Sequence, residues 1–344
     1  MRSYIQDHPE TFVIAGIAHS VGSIKYTNSE LCDAFGIKIK PSFIDKSVGI
    51  DTRYFVADNE TTSDLAAAAA KKALANAGIS IQDIDRLIVA TSTPDHPTPS
   101  TACIVQYKLG GSGFPANDIV AACSGFMYGL DQALRCLATG DKNVLLVGVD
   151  CRSRTLNMQD KRTAFLYGDG AGAVVLQRRA GNASAGPDKA GFLDCFLTAD
   201  GSGHDAVIIL AGGAKEPCNP QNVAELKNKL SMPSGDRVAQ NALRGFAELV
   251  HQLLDRNRLN LSDIKQFVFH QPNRRLLEVV MNQLGLTSEN TFINFQHYGN
   301  TVAGSIPIAL SEAVAANLLN SGDTVVLCGV GGGFTGGAAL LKWP

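Results

Sequence analysis

The feature that most constrains this chain is that it repeats itself over a long interval. Ile81-Gln82-Asp83-Ile84-Asp85-Arg86 leads into an apolar run, Leu87-Ile88-Val89-Ala90, and Leu261-Ser262-Asp263-Ile264-Lys265-Gln266 leads into another, Phe267-Val268-Phe269. The two Asp-Ile pairs stand 180 residues apart. Further on, Leu137-Ala138-Thr139-Gly140-Asp141 before the strand Val144–Val149 matches Leu319-Asn320-Ser321-Gly322-Asp323 before Val325–Leu327, at a spacing of 182. Solenoid units are far shorter, roughly 20–50 residues. The long period therefore indicates two fused units related by a pseudo-two-fold axis. In each unit a helix feeds an apolar strand, as where Thr62–Ala77, ended by Gly78, precedes Ile79–Ala90, a turn feeding a strand, so each unit is α/β. The expected halves are residues 1–180 and 181–344, with Gly181–Lys189, rich in Gly, Ala, Ser, Asn and Pro, as connector. A strand, Thr11–Ile17, opens the first half, and a small second element follows around Phe43–Tyr54.

Composition narrows the class. With 45% hydrophobic and 18% charged residues the chain is an ordinary globular protein, and its net charge of −2 gives no electrostatic reason to expect nucleic acid. Residues 1–20 carry Asp7 and Glu10 and lack a continuous apolar core, so they do not read as a signal peptide. No apolar run is long enough to span a bilayer. The eight cysteines form no C-x-x-C pair, which suits reduced thiols in a cytoplasmic enzyme better than a disulfide framework or a zinc site.

Three residues carry the candidate chemistry. Ile119–Ala122 reads as a short buried strand, and Phe126, Leu130, Leu134 and Leu137 recur at helical spacing up to Gly140. Cys123 stands at the junction, where unpaired helix N–H groups and the helix dipole are expected to make the thiol ionise more readily. His270 follows the strand Gln266–Phe269, and Asn300 lies in Tyr298-Gly299-Asn300-Thr301, ahead of a helix containing Ile306, Leu310 and Val314. Taken singly, each has a bland reading: a small buried hydrophobe, a structural histidine, a turn or cap residue. All three, however, sit beyond strand ends, where α/β sheets bind ligands. Gly331-Gly332-Gly333 joins two strands, either as a tight turn or as backbone that approaches a ligand and stabilises an oxyanion. Gly168-Asp169-Gly170-Ala171-Gly172 precedes a strand rather than following one, so it is not read as a dinucleotide fingerprint.

Together these motifs resemble the β-ketoacyl-(acyl carrier protein) synthase III family. The carrying residues are Ala122-Cys123-Ser124-Gly125-Phe126, His270-Gln271-Pro272-Asn273-Arg274-Arg275, Tyr298-Gly299-Asn300-Thr301 and Gly331-Gly332-Gly333-Phe334-Thr335. Val48–Arg53, Ala90–Asp95 and Tyr167–Ala173 add further family-like stretches. The resemblance implies a thiolase fold, two pseudo-two-fold-related α/β halves forming a five-layered αβαβα core. It implies an acyltransferase of fatty acid biosynthesis that loads an acyl thioester on Cys123 and condenses it, with loss of carbon dioxide, with malonyl-acyl carrier protein. Catalytic roles then fall to Cys123, His270 and Asn300, and the oxyanion hole to the backbone N–H groups of Cys123 and Gly332. Substrate or carrier contacts fall to Phe43, Thr98, Lys161, Arg162, Asn273, Arg274 and Arg275. The implied assembly is a homodimer, without metal or cofactor beyond the coenzyme A or carrier-protein thioesters that are its substrates.

Several positions depart from the family pattern. Phe43 stands for the usual Trp, Ser47 for an Arg and Lys161 for a second Arg in the coenzyme A grip. Val330 replaces a Phe, and Thr98 takes a position where some members have Phe. These departures keep open an alternative, a specialised-metabolite, polyketide-like ketosynthase or acyltransferase with a non-acetyl primer. A Cys-His-Asn hydrolase shares the order of the three residues but not the local cysteine signature. A non-catalytic partner subunit would tolerate loss of the triad, yet all three members are present.

Overall fold

The computed structural model describes residues 4–6, 8–180 and 190–344. The expected connector Gly181–Lys189 falls outside the described residues. Eleven strands are named: β1 (Thr11–Val21), β2 (Ile24–Thr27), β3 (Thr52–Phe55), β4 (Arg86–Ala90), β5 (Ala116–Ile119), β6 (Asn143–Asp150), β7 (Gly170–Arg179), β8 (Gly191–Ala199), β9 (Gln266–Phe269), β10 (Thr324–Gly331) and β11 (Thr335–Lys342). The helices are α1 (Asn28–Phe35), α2 (Pro41–Val48), α3 (Thr62–Ala77), α4 (Thr101–Lys108), α5 (Gly125–Ala138), α6 (Pro220–Ala224), α7 (Gly235–Asn257), α8 (Arg274–Leu284), α9 (Phe295–Tyr298) and α10 (Ser305–Ala315).

The repeat seen in the sequence becomes a repeat of connectivity. One sheet has the order β1-β7-β6-β4-β5 and the other β8-β11-β10-β9. In the first, β4 and β6 are parallel while β7 runs antiparallel to β6 and β1; in the second, β9 and β10 are parallel while β11 runs antiparallel to β10 and β8. Arg86 pairs with Val144 in one sheet and Gln266 with Val325 in the other, so even the register recurs. The turns before β4 and β9 carry the same reciprocal cap, Ser80 with Asp83 and Asn260 with Asp263. The second sheet keeps only a trace of a fifth strand, a parallel bridge between Phe267 and Thr291.

Burial stacks these sheets into five layers. α5 and α10 lie between the sheets, where Phe126, Met127, Leu130, Leu134, Ile306, Ala309 and Leu310 pack with Ile88, Leu146 and Val174 from one sheet and Val268, Leu327 and Ala339 from the other. α3 covers the outer face of the first sheet, its Ala66, Ala69, Ala70 and Ala73 lying on Leu87, Val89, Leu145 and Val147. Small side chains on α3 let it approach closely: a Cβ at Gly16 of β1 would lie 2.3 Å from the Ala73 carbonyl oxygen. α7 and α8 cover the outer face of the second sheet through Phe246, Leu249, Leu253, Leu277 and Val280. Apolar burial at about 25 cal/mol per Å² is what holds such layers together.

Two local expectations are corrected. The strand expected at Ile119–Ala122 lies earlier, at Ala116–Ile119, and Val120 is 75% exposed. Ala122–Ser124 instead form a 3₁₀ turn, with Ala122 at φ +47° and Ser124 N–H donating to the Ala121 carbonyl at 3.2 Å. A four-residue apolar run cannot distinguish these outcomes; the turn is imposed by the packing beneath it. The element expected around Phe43–Tyr54 is two, α2 and β3, separated by Gly49 in the left-handed conformation.

Candidate active site

The duplicated fold brings two equivalent helix starts together at the centre of the molecule. The 3₁₀ turn Ala122–Ser124 precedes α5, and the 3₁₀ turn Val302–Gly304 precedes α10; Ala122 and Val302 both have positive φ, +47° and +52°. They meet closely enough that a Cβ at Gly125 would lie 3.3 Å from the Ala303 Cβ. Cys123 sits in the first turn, and Asn300 immediately precedes the second.

Asn300 is held on every side. Its N–H donates to the Leu166 carbonyl at 3.0 Å, its carbonyl accepts from Gly168 N–H at 3.1 Å, and its side-chain Oδ1 accepts from Val302 N–H at 2.8 Å. With Oδ1 occupied, Nδ2 is the end left to act as donor, and the Asn300 amide favours the Cys123 thiolate. His270 follows β9, its N–H bonded to the Cys328 carbonyl at 2.8 Å. Its Nδ1 lies 2.5 Å from Ser305 Oγ, and that same oxygen accepts from Gln271 N–H at 3.2 Å. The Ser305 hydroxyl has a proton to donate to Nδ1, and in that tautomer Nε2 carries the ring hydrogen. Gln271 is buried and donates to the Phe269 and Phe292 carbonyls at 2.9 and 3.3 Å, fixing the backbone beyond the strand.

Burial dominates the electrostatics of this pair. It pushes the His270 pKa from 6.5 down to about 3, so the imidazole is neutral at physiological pH. It pushes Cys123 from the ordinary value near 9 up to about 12, against the opposing pull of the Arg152 guanidinium and the Asn300 hydrogen bond. This corrects the expectation of a readily ionised thiol. A helix N-terminus contributes about 0.3–1 kcal/mol, less than one pKa unit, and desolvation outweighs it.

Gly331 closely approaches another stretch of backbone. A Cβ there would stand 2.8 Å from Ser124 N and 3.0 Å from Cys123 N, so β10 presses directly on the cysteine turn. Thr335 ties the same parts together: its Oγ1 accepts from Ser124 Oγ at 2.6 Å and lies 3.2 Å from the Ala121 and Gly332 carbonyl oxygens. Cys123, His270, Asn300 and Gly332 all line one cavity of about 580 Å³. Val207, Ile208, Ile209, Leu230 and Met232 give it apolar walls from a segment that the sequence reading did not single out. Among the described residues no group of three or more His, Cys, Asp or Glu is arranged to hold a metal ion.

Comparisons with known proteins identify the family. The family model described as 3-oxoacyl-(acyl-carrier-protein) synthase III matches residues 117–201, and its C-terminal companion matches residues 254–343. A β-ketoacyl-(acyl-carrier-protein) synthase III of Oleidesulfovibrio alaskensis is 40% identical over 317 residues, covering 92% of this chain and 94% of the relative. The chain belongs to this synthase III family. It is a condensing acyltransferase of fatty acid synthesis with the thiolase fold. The crystal structure of the Pseudomonas aeruginosa 3-oxoacyl-(acyl carrier protein) synthase III superposes with a TM-score of 0.86 at 35% identity, covering 97% of this chain and 98% of that one. The priming β-ketosynthase of the R1128 polyketide pathway has a TM-score of 0.87 at 25% identity over 98% of this chain and 97% of that one, so in sequence the synthase stands nearer the fatty acid enzymes.

The remaining expected contacts are dispersed. Asn273 and Arg162 line the cavity; Asn273 also caps α8, its Oδ1 accepting from Arg275 and Leu276 N–H at 2.8 and 3.3 Å. Arg162 is mostly exposed and pairs with Asp160 at 3.3 Å. Arg274 and Arg275 occupy the first turn of α8 and pair with Glu278, and Arg275 Nε also donates to the Lys46 carbonyl at the end of α2. Phe43 on α2, Lys161 and Thr98 are exposed and are not among the cavity-lining residues; Val330 is. Ser305, Ser92, Arg152 and Tyr167 are the side chains near the reactive groups that sequence reasoning missed. Arg152 carried a signal, since it follows β6 at the same edge of the sheet from which Cys123 emerges.

Proposed function

We propose that the synthase works by two half-reactions at Cys123. The observation that carries this is the convergence of Cys123, His270, Asn300 and Gly332 on one cavity. In the first half-reaction the Cys123 sulfur attacks an acyl thioester, the carbonyl–sulfur bond of the substrate breaks, and the thiol proton leaves on the carrier thiol. Cys123 and Gly332 backbone N–H groups stabilise the tetrahedral oxyanion; each such donor supports about 10²–10³ in rate. In the second, a malonyl thioester places its carbonyl oxygen between His270 Nε2–H and Asn300 Nδ2–H. Two neutral donors suit that oxygen as it takes up negative charge while the carboxylate leaves as carbon dioxide. The resulting carbanion attacks the acyl-cysteine, the thiolate departs, and a 3-oxoacyl thioester is released. The departing Cys123 thiolate takes one proton from solvent to restore the thiol; no electrons are gained or lost overall, so acyl and malonyl thioesters and that proton, with no separate cofactor, complete the balance.

The acyl carrier protein is the proposed macromolecular partner. Arg274 and Arg275 sit in the first turn of α8, where the dipole disfavours cations, an arrangement that a negatively charged partner would offset. Arg162, Asn273, Phe43 and Lys161 are assigned to the carrier arm and its nucleotide, and Thr98 to a neighbouring subunit of a homodimer; its exposure on the loop before α4 supports that reading. The halves 1–180 and 181–344 are proposed as the two domains, each supplying one large sheet. Eight unpaired cysteines support a reducing, cytoplasmic setting, and no helix among the described residues is long and apolar enough to cross a membrane.

Intact-mass measurement with a panel of acyl thioesters tests the first half-reaction. The wild type gains one acyl mass, mapping to Cys123, and Cys123→Ala gains none. An adduct that persists in Cys123→Ala overturns the assignment.

A further inference from the structure

The proposed chemistry leaves one buried cation beside the nucleophile without a task. Arg152 follows β6, its side chain is 6% exposed, and it lines the cavity with Ser92, Tyr167 and Cys123. Its charge acts on both the Cys123 thiol and the Tyr167 phenol, so it lies close to each. A guanidinium has five N–H groups. Nη1 donates to Thr155 Oγ1 at 3.3 Å, Nη2 donates to Ser92 Oγ and stands 3.5 Å from Asp150, and Nε is buried without a partner. A plain alkyl chain laid along the cavity face of this guanidinium offers none of its remaining N–H groups an acceptor, which is costly.

Charge decides what kind of acceptor fits. Asp150 balances Arg152 and is itself saturated: Oδ1 accepts from Ser92 N–H at 2.9 Å, Ser92 Oγ at 2.8 Å and Thr93 Oγ1 at 3.0 Å, and Oδ2 from Ala303 N–H at 3.1 Å. The pair is neutral as it stands. An incoming carboxylate would bury a second negative charge, and the other arginine of the cavity, Arg162, is mostly exposed and paired with Asp160. A neutral oxygen accepts from the guanidinium without that penalty. We propose that the acyl group loaded on Cys123 carries a neutral oxygen acceptor, a carbonyl, ether or hydroxyl oxygen, that hydrogen-bonds Arg152. Arg152 is then the specificity residue of the acyl site. The inference rests on the two-step reading of Cys123.

The test is acylation of Cys123 by length-matched thioester pairs, alkyl against hydroxy- or oxo-acyl, with the oxygen stepped from C3 to C6, and with succinyl and glutaryl thioesters alongside. In the wild type, one oxygenated thioester should exceed its alkyl twin about tenfold or more in kcat/KM, because a site built to bond an oxygen rejects the analogue lacking it. Arg152→Leu should erase or invert that ratio, and Ser92→Ala should reduce it. A ratio within one variant is insensitive to the fraction of folded protein, and the wild-type comparison needs no variant at all. Equal rates across every pair, a preference surviving in Arg152→Leu, or a dicarboxyl thioester as the best substrate overturns this inference and leaves the condensing reading intact. Absence of any Cys123 adduct overturns both.

Discussion

An alanine at position 331 would place its Cβ 2.8 Å from Ser124 N, 3.0 Å from Cys123 N and 3.1 Å from the Ala121 carbonyl oxygen. The backbone there is extended, φ −143° and ψ 174°, so alanine adopts it without strain and the effect is steric alone. Ordinary contacts of this kind are about 3.5 Å or longer, so the two backbones must separate by about 0.5 Å. Neither moves cheaply, since β10 is paired with both β9 and β11 and the cysteine turn is tied down through Thr335. Overpacking of this kind costs about 1–3 kcal/mol, which lowers Tm by a few degrees. The shift falls on the Cys123 N–H, and misplacement by about 1 Å costs about 10²-fold in rate, so Gly331→Ala should slow acylation roughly ten- to a hundredfold. Gly213→Ala is the control, because a Cβ there meets nothing within 4 Å and the residue lies outside the cavity lining. Single-turnover acylation followed by intact mass, with a thermal melt of each variant, measures both effects. Gly331→Ala within twofold of wild type, or Gly213→Ala equally damaged, refutes the argument that β10 positions the nucleophile's turn.

His270→Ala and Asn300→Ala should still accept an acyl group on Cys123 while losing condensation with malonyl thioester by about 10²-fold or more; separate single-turnover assays of the halves check this, and lost acylation with intact condensation refutes it. The folded chain holds His270 neutral down to about pH 3 whereas the unfolded chain protonates it near 6.5, so this stabilising contribution is complete above pH 6.5 and is lost as pH falls toward 3. Asp169, raised to about 6 by burial, acts in the opposite sense, its contribution present below 3.8 and lost as pH rises through 6. Urea midpoints at pH 7 and 5 should therefore fall less in His270→Asn than in wild type, by roughly 2 kcal/mol, and identical falls refute the assignment. Arg275→Ala should raise KM for carrier-protein thioesters more than for small thioesters, the gap closing with salt; equal losses indicate that its bonds to Glu278 and α2 are its whole role.

Features written in local chemistry were legible in the sequence. Helix Thr62–Ala77 with its Gly78 stop and strand Gln266–Phe269 appear at the expected residues, because capping and short-range periodicity act within a few positions. The duplication was legible for the same reason, since each copy repeats its own turn and strand signals, and Cys123, His270 and Asn300 stood out by their places beyond strand ends. What the tertiary structure alone decided depends on neighbours from distant parts of the chain. Cys123 lies in a strained turn instead of closing a strand because Gly331 and Thr335, from the other half, press and bond against it. Its thiol resists ionisation because both halves desolvate it, a sum over surroundings that no local spacing encodes. His270 meets Ser305 across 35 residues, and Arg152 finds Ser92 across 60. Sequence determined which groups the chain carries to the edge of each sheet; which of them touch, and in what state of protonation, came from burying the two helix starts against each other.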